Sequence, residues 1–192
     1  MRLPAILLCC FLLVAPGARA DEVTDQINEA LAAYQKKDMQ TALAALDAAA
    51  NLLRQARGDA FKALLPKPLA GWTAEEAEVS VIGAVVLGGG ITASRKYRKG
   101  DASVSVEIIA DSPMVQGMAA MLSSPIIAMG GARQMVVGGR RITYMKDDNA
   151  YMTMAADRAL VKISGEHGVA DETLRAYVSA IDFAGIEKLM RQ

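Results

Sequence analysis

Apolar residues recur at every third or fourth position between residues 23 and 57, which is the period of an amphipathic helix. One run extends from Val23 to Tyr34, and a second extends from Met39 to Leu53. Asp38 lies between the runs, where its carboxylate is suited to cap the second helix. Because the connection is so short, the two helices must be antiparallel. The pattern therefore predicts a helical hairpin over residues 21–58.

The hairpin resembles a single tetratricopeptide-type repeat. The likeness rests on Tyr34, the turn Lys37-Asp38-Met39, Ala42, Leu46 and Ala49. It covers about 34 residues, the length of one repeat, and Arg54 stands where that family has a proline. One repeat cannot form the concave peptide-binding surface of an array. We therefore interpret the segment as a hairpin that packs on its own domain or on a partner subunit.

Residues 59–75 are predicted to join the hairpin to a second domain. Gly58-Asp59 is expected to begin a short helix. Pro66 and Pro68 then exclude a helix interior, so the chain should be extended there. Trp72 is the one tryptophan of the chain. Its large apolar body suits an anchor of the core, with ligand stacking as the alternative.

From residue 76 to residue 192 the apolar period shifts towards two, which is typical of strands. Strands are expected over residues 78–87, 91–98, 102–110, 133–137, 140–146, 151–155 and 159–164, the last two being either separate or one bent strand. Helices are expected after Ser112-Pro113 and after Asp171, which we interpret as the cap of the last helix. Tight turns between the strands make the sheet antiparallel.

These elements predict the α+β class, with a helical hairpin followed by an antiparallel sheet packed by two helices. The strand–helix order is similar to that of PsbP/Mog1-like sandwiches, as an analogy of architecture and not of function. The helix after Pro113 should cover the apolar face of strand 102–110. The basic run from Arg95 to Lys99 carries charge on both faces, which predicts an edge strand or the end of a strand. A patch for an anionic ligand, with Arg95 and Arg98, is the alternative.

The first 20 residues have the three parts of an export signal. Arg2 gives a positive start, residues 3–14 form an apolar core, and Ala18-Arg19-Ala20 has the small-x-small pattern of a cleavage site. A membrane-spanning helix would need about 20 apolar residues, more than this core supplies. A lipoprotein that uses Cys9 or Cys10 is a further alternative. We predict a soluble periplasmic or secreted protein that begins at Asp21.

Cleavage at that point changes the composition. Both cysteines leave with the signal, so the exported chain cannot be a disulfide scaffold. Two of the 21 basic residues, Arg2 and Arg19, are also lost, and 19 basic against 21 acidic residues give a net charge of −2. Such a balance gives no general attraction to nucleic acid or to anionic membranes. We therefore expect neither a nucleic-acid partner nor a membrane span.

The part of the chain from Leu65 to Asp182 also resembles a family of uncharacterised secreted bacterial proteins. The likeness covers about 120 residues, the size of one domain. It rests on Leu65-Pro66, Gly71-Trp72, Gly88-Gly89-Gly90, Ser94-Arg95, Tyr97, Asp111-Ser112-Pro113-Met114 and Ala180-Ile181-Asp182. It implies a bacterial periplasmic setting and no known activity.

Residues suited to catalysis or metal binding are few. His167 is the only histidine, and its neighbour Glu166 would point to the other side of an extended chain, so we interpret it as a solvated loop residue. Zinc is improbable with one histidine and no thiolate. The turn Asp147-Asp148-Asn149 lacks the ligand spacing of a calcium loop, and the glycine run at 88–90 leads into a strand, unlike a phosphate loop. We expect no catalytic residues, no metal and no cofactor.

Methionine is the unusual residue of this chain, with 11 copies. Met114, Met118 and Met121 are spaced to share one helix face. Core packing is the favoured interpretation, an adaptable apolar groove is the second, and Cu(I) ligation is the third. The favoured hypothesis is a non-enzymatic periplasmic binding or accessory protein with a protein or apolar small-molecule partner. Its candidate surface comprises Met114, Met118, Met121, Trp72, Arg95 and Arg98. A methionine-rich, copper-handling protein is the alternative.

Overall fold

The computed structural model describes residues 18–82, 89–124 and 132–192. The helices are α1 (Ala18–Gln35), α2 (Met39–Ala63), α3 (Pro113–Ser123), α4 (Asp171–Ala180) and α5 (Phe183–Met190). The strands are β1 (Thr73–Ala74), β2 (Glu78–Ile82), β3 (Gly90–Lys99), β4 (Ala102–Ala110), β5 (Arg133–Val137), β6 (Arg140–Met145), β7 (Ala150–Ala155) and β8 (Ala159–Glu166). The apolar core of the expected signal, residues 3–14, lies outside the described residues, as do residues 83–87 of the first expected strand.

The strands form one antiparallel sheet in the order β1-β3-β4-β8-β7-β6-β5, and β2 pairs with β3 beside β1. The predicted α+β class is confirmed. The hairpin α1–α2 precedes the sheet in the chain. Within the described ranges, no helix combines the length and the apolarity that crossing a membrane requires.

Strand β3 is paired on both sides, so it is not an edge strand, whereas the basic run does lie at the end of the strand, which stops at Lys99. Arg95 lies on the core face opposite Val106, yet its guanidinium Nη1 reaches the carbonyl oxygen of Pro66 at 3.5 Å. A long side chain can bury its stem while its charged end finds an oxygen. A strand with basic residues on both faces can therefore lie inside a sheet, with neighbouring strands on both sides.

The main core lies on the face of the sheet formed by alternate residues of β4 and β8. Val104, Val106 and Ile108 are fully buried there beside Ile163 of β8. Helix α4 packs on β8, β7 and β5, and α5 packs on β7. These two helices, and not α3, cover the apolar face of β4.

Helix α3 packs on the opposite face, against β8. A small cluster there contains Val115, Leu122, Met152 and Leu160, with Met118 packed beside it. Met114 and Met121 are 62% and 42% exposed. The prediction that the whole methionine stripe faces the sheet is wrong. The side of α3 that faces the sheet carries Val115, Met118 and Leu122 and is rotated by about one residue from the predicted stripe. Val115 and Leu122 follow Met114 and Met121 directly in the chain.

The chain divides into two compact units, Met1–Leu52 and Leu53–Gln192, and the division falls inside α2. In the first unit, Lys37 adopts a left-handed conformation with φ 62° and ends α1. Its amide donates to the Tyr34 carbonyl, and the Asp38 amide donates to that of Ala33. Both bonds satisfy carbonyls at the end of the helix.

Asp38 caps α2, as predicted. Its carboxylate accepts hydrogen bonds from the backbone amide and the hydroxyl of Thr41, at 3.1 and 2.8 Å. These bonds, the backbone one first, lower the pKa of the Asp38 carboxyl. The turn is therefore fixed by local hydrogen bonds.

The buried positions of the hairpin within the first unit are alanines: Ala30, Ala33, Ala42, Ala45 and Ala49. The large apolar residues that formed the predicted stripes are exposed instead. We call the following six residues the hairpin face: Ile27, Leu31, Tyr34, Met39, Leu43 and Leu46.

Helix α2 runs without a break to Ala63, so the short helix expected to begin at Gly58-Asp59 is its last part. Gly58 allows α2 to pack closely against β2. A Cβ at this position would lie 2.3 Å from Cγ1 of Val79 in β2. Glycine is therefore required at position 58 because β2 approaches α2 closely there. It does not mark the start of a helix.

Two further local expectations are settled. Strands β7 and β8 are separate, joined by a turn in which Ala156 and Asp157 have φ of 50° and 53°. Asp171 is the first residue of α4 and not its cap, since Ala170 holds the cap position without a side-chain bond. The Asp171 carboxylate instead accepts hydrogen bonds from the Tyr151 hydroxyl and the Arg175 guanidinium.

Candidate functional site

A cleft of about 500 Å³ opens in the second unit where β3, the end of β4 and the start of α3 meet α2. Its charged lining consists of three arginines, Arg54, Arg57 and Arg158, and one carboxylate, Asp111. The remaining lining residues are Gly89, Gly90, Ile91, Ser112, Pro113 and Gln116. We call this the arginine cleft.

Asp111 is the centre of the charged lining. It joins β4 to α3 and has a φ of 54°, a left-handed conformation that aspartate tolerates better than most residues. Its Oδ2 lies 3.1 Å from Arg57 Nη1, and its Oδ1 lies 2.7 Å from Arg158 Nη2. One carboxylate therefore holds two guanidinium groups on the same side of the cleft.

The two arginines have a second anchor at the end of α5. Arg57 Nη2 donates to the Leu189 carbonyl at 3.4 Å, and Arg158 Nη1 donates to the Met190 carbonyl at 3.5 Å. Carbonyls in the last turn of a helix lack partners within the helix and favour nearby cations. Each guanidinium is therefore positioned before any ligand arrives.

Arg54 and Arg57 lie three residues apart on α2 and so occupy one side of that helix. Arg57 Nε is buried and finds no hydrogen-bond acceptor among the described residues. A buried donor without an acceptor costs about 1–3 kcal/mol. An acceptor oxygen brought by a ligand would remove that cost.

The first turn of α3 contributes to the same cleft. Ser112 holds the cap position with φ −110° and ψ 137°, and its hydroxyl makes no capping bond. Pro113 follows, and Gln116 lies one turn further on. The amino end of an 11-residue helix carries partial positive charge and unpaired amides. Gly90 permits the close approach, since a Cβ there would lie 3.0 Å from Ser112 Cβ.

Among the described residues of the lining the balance of charge is positive, because three guanidinium groups accompany one carboxylate. Guanidinium is charged at every physiological pH and can donate two parallel hydrogen bonds to a carboxylate or a phosphate. A volume of about 500 Å³ is within the usual range of small-molecule pockets. The arrangement is suited to bind a small anion.

The basic run on β3 does not form such a site. Arg98 is ion-paired with Glu75, and Lys96 Nζ lies 3.6 Å from Glu166 Oε2. A hydrogen bond from Ser103 and the nearby Lys96 ammonium lower the pKa of the Glu166 carboxyl. Arg95 is directed to the Pro66 carbonyl. Carboxylates therefore offset the positive charge that suggested an anionic-ligand patch here.

Trp72 is half-buried at the edge of the main core. Its ring meets Tyr177 edge-on, with centroids 5.8 Å apart. Tyr177 in turn stacks at a tilt on Tyr97, with centroids 4.6 Å apart. Trp72 and the three methionines of α3 lie outside the lining of the arginine cleft, so the structure does not gather the six candidate surface residues into one site.

His167 and the turn at residues 147–149 lie outside the lining of the arginine cleft. His167 is exposed in a loop with φ 57°. Asn149 binds the Tyr144 hydroxyl and the Gly165 carbonyl, at 3.0 and 3.1 Å, and thereby closes its turn. Across the described residues, no three histidine, cysteine or acidic side chains come close enough together to hold a metal ion.

The sequence analysis did not find the residues of the arginine cleft. They come from four separate parts of the chain, and the three arginines belong to no motif that the sequence showed. One signal was available, since Asp111-Ser112-Pro113 was identified as a helix start. A helix start that follows an aspartate indicates a polar amino end, but it does not reveal which distant arginines approach it.

Comparisons with known proteins find no relative of this chain. No protein-family model matches it. No curated protein matches it, and no solved structure does. The function is therefore argued from the residues of the cleft.

Proposed function

We propose that this protein is an exported, non-enzymatic binding or accessory module whose ligand is a small anion held in the arginine cleft. The observation that carries the proposal is the convergence of Arg54, Arg57 and Arg158 on a cleft with a single carboxylate. The ligand class is a metabolite-sized molecule with phosphate or carboxylate groups, since these groups match the paired donors of guanidinium.

A binding role suits this lining better than catalysis. Asp111 accepts from two guanidinium groups and is therefore poorly placed to take a proton from a substrate. The described lining of the cleft contains neither imidazole nor thiol, the usual bases and nucleophiles. What the lining does offer is fixed positive charge.

Export is part of this proposal and is supported by the signal-like pattern of residues 1–20. The copper-handling alternative has less support from the arrangement of sulfur atoms. Met118 packs beside an apolar cluster, while Met114 and Met121 are exposed on α3. A soft metal would need several thioethers directed to one point. The anion is therefore the ligand class that we propose.

Calorimetric titration with two probes, citrate and pyrophosphate, tests the proposal. We expect at least one probe to bind with an affinity that falls as salt rises, because screening weakens attraction between charges. Arg158→Gln should weaken that binding by roughly tenfold, the loss of one charged hydrogen-bonding partner worth about 1.5 kcal/mol. Arg158 is suited to this test because its side chain is 58% exposed.

The matched control is Arg175→Gln. Arg175 is also an exposed arginine paired with an aspartate, Asp171, but it lies on α4 outside the cleft. Its replacement should leave the affinity within about twofold, less than 0.5 kcal/mol. Equal losses in the two variants would indicate general charge attraction, and no binding of either probe would contradict the proposal.

A further inference from the structure

A second cavity, of about 240 Å³, lies on the face of the sheet opposite the main core, where α3 packs. Its apolar lining consists of Ala119 and Leu122 of α3 and Met152 and Met154 of β7. Among the described residues, its lining and that of the arginine cleft have no member in common. We call this separate cavity the methionine pocket.

The methionine pocket follows from the way α3 crosses the sheet. Alternation along β7 places Met152 and Met154 on the same face. On β5, Gln134 Nε2 donates to the Leu122 carbonyl at 3.2 Å and so fixes the end of α3 over the sheet. Ala119 lies three residues before Leu122 and shares its side of the helix. Because alanine is short, space remains between α3 and the two methionines.

Two unpaired charges of opposite sign belong to the lining. Arg141 lies near the start of β6, and Asp157 lies in the turn after β7, so antiparallel pairing brings both to one end of the sheet. Neither has an ion-pair partner among the described residues. The third charged residue of the lining, Arg140, does, since its Nη2 lies 2.6 Å from Glu187 Oε1. One positive and one negative charge therefore remain for a ligand.

We propose that the methionine pocket binds a free α-amino acid with an apolar side chain. The guanidinium of Arg141 donates paired hydrogen bonds to the carboxylate of the ligand. The carboxylate of Asp157 accepts from its ammonium group. The apolar side chain packs on Leu122, Met152 and Met154, and thioether side chains adapt readily to the shape of an apolar group.

Charge and size select this ligand class over simpler molecules. An apolar carboxylic acid would lie beside the like charge of Asp157, and an apolar amine would lie beside that of Arg141. A zwitterion satisfies both residues. An apolar cavity of about 150 Å³ is enough to hold benzene. A pocket of about 240 Å³ therefore has room for a side chain the size of leucine next to its charged groups.

Calorimetric titration of the full chain with L-leucine and three analogues tests the ligand class. The analogue 4-methylpentanoate lacks the ammonium group, 3-methylbutylamine lacks the carboxylate, and glycine lacks the apolar side chain. We expect saturable binding of leucine and at least roughly tenfold weaker binding of each analogue. Absence of leucine binding would overturn the proposal. Equal affinity for leucine and either singly charged analogue would overturn it as well.

Two variants test the assigned charges. Arg141→Gln and Asp157→Asn should each weaken leucine binding by roughly tenfold. Asparagine tolerates the left-handed conformation of Asp157, whose φ is 53°, and matching thermal melts would show that both variants fold. The matched control is Arg133→Gln, because Arg133 is exposed on β5 outside the lining. It should change the affinity by no more than about twofold, and a loss equal to that of Arg141→Gln would contradict the assignment.

Methyl NMR of the unaltered chain locates the ligand without any substitution. Leucine should shift the methyl signals of Leu122, Met152 and Met154 and leave that of Met114, which is exposed outside the lining. Citrate should not displace leucine, because the two cavities are separate, so this proposal and the anion proposal can fail independently. Shifts centred on Ser112 would show that leucine binds by its carboxylate in the arginine cleft, and they would overturn the proposal.

Discussion

Glycine residues inside helices of this protein have different roles, and the space around each decides which. A Cβ on Gly58 would meet the side chain of Val79 at 2.3 Å, whereas a Cβ on Gly117 of α3 would meet nothing within 4 Å. Helix propensity alone would favour alanine over glycine by about 1 kcal/mol at both positions. The neighbouring strand reverses that preference at Gly58.

We therefore expect opposite effects from the same substitution. Gly58→Ala should lower the free energy of unfolding by about 1–3 kcal/mol, because β2 must move away from α2. Gly117→Ala should raise it by about 0.4–1 kcal/mol, since the new methyl meets open space. Urea denaturation of both variants measures the difference. Equal stabilisation would show that α2 and β2 are further apart than described.

Tyr97 connects the proline-rich junction to the sheet. Its hydroxyl donates to the Pro66 carbonyl at 2.6 Å, and the side chain is fully buried. Burial, the main cause, raises the pKa of Tyr97 to about 12. Because the folded pKa exceeds the unfolded value of about 10, this group stabilises the fold fully below pH 10. That contribution declines as pH rises from about 10 to about 12.

Replacing Tyr97 with phenylalanine should have two consequences. The free energy of unfolding at pH 7 should fall by about 1 kcal/mol with the loss of the hydrogen bond. Its decline above pH 10 should become shallower, though burial also raises the pKa of Tyr151 to about 12, so part of the decline remains. Urea denaturation at pH 7 and pH 11 checks both. The exposed Tyr34 provides the control as Tyr34→Phe, and identical pH slopes in the two variants would refute the assignment.

At the level of elements, the sequence predicted helices and strands well but often misplaced their faces. In α3 the stripe of Met114 and Met121 and the stripe of Val115 and Leu122 are equally good helical patterns. Residue type favoured methionine, yet the position of β8 decides which stripe is buried. In the hairpin the predicted stripes contained both alanines and large apolar residues, and only the alanines are buried, where they allow the helices to approach closely. Local period indicates an element, while its partner determines the buried face.

The orientation of α3 gives a direct test by truncating one side chain from each stripe. Leu122→Ala should reduce the free energy of unfolding by about 2–4 kcal/mol, since Leu122 is only 8% exposed in the small cluster. Met114→Ala should change it by less than about 0.5 kcal/mol, because that side chain is exposed. Thermal and urea unfolding of both variants give the comparison. A large loss for Met114→Ala would restore the original prediction of the methionine stripe.

For the whole molecule, the α+β class and the order of elements were predictable because strand alternation and turn residues are local signals. The arginine cleft was not predictable, since Arg57, Asp111 and Arg158 meet only after the sheet has brought β4 and β8 together. The boundary between domains was predicted near residues 58–70, on the basis of Gly58, the two prolines that follow it and the change of apolar period. Contacts instead divide the chain at Leu52 and Leu53, within a continuous helix.

A chain that starts at Leu53 should therefore fold more stably than one that starts at Asp59. The shorter chain loses Arg57, which reaches both Asp111 and the end of α5. We expect its melting temperature to be several degrees lower, about 2–8 °C for each kcal/mol lost. Scanning calorimetry of the two truncated chains measures both melting temperatures. Equal melting temperatures would indicate that Arg57 contributes nothing to this fold.

The central claim is that a small anion binds between α2 and the amino end of α3. Backbone amide NMR during titration with citrate and pyrophosphate locates the binding site directly. We predict that the largest shifts fall on Arg57, Gly90, Ser112 and Gln116, and that they diminish in Arg158→Gln. Shifts concentrated instead on Ser94, Arg95 and Ser105 of the sheet, or spread over the whole basic surface, would contradict the account.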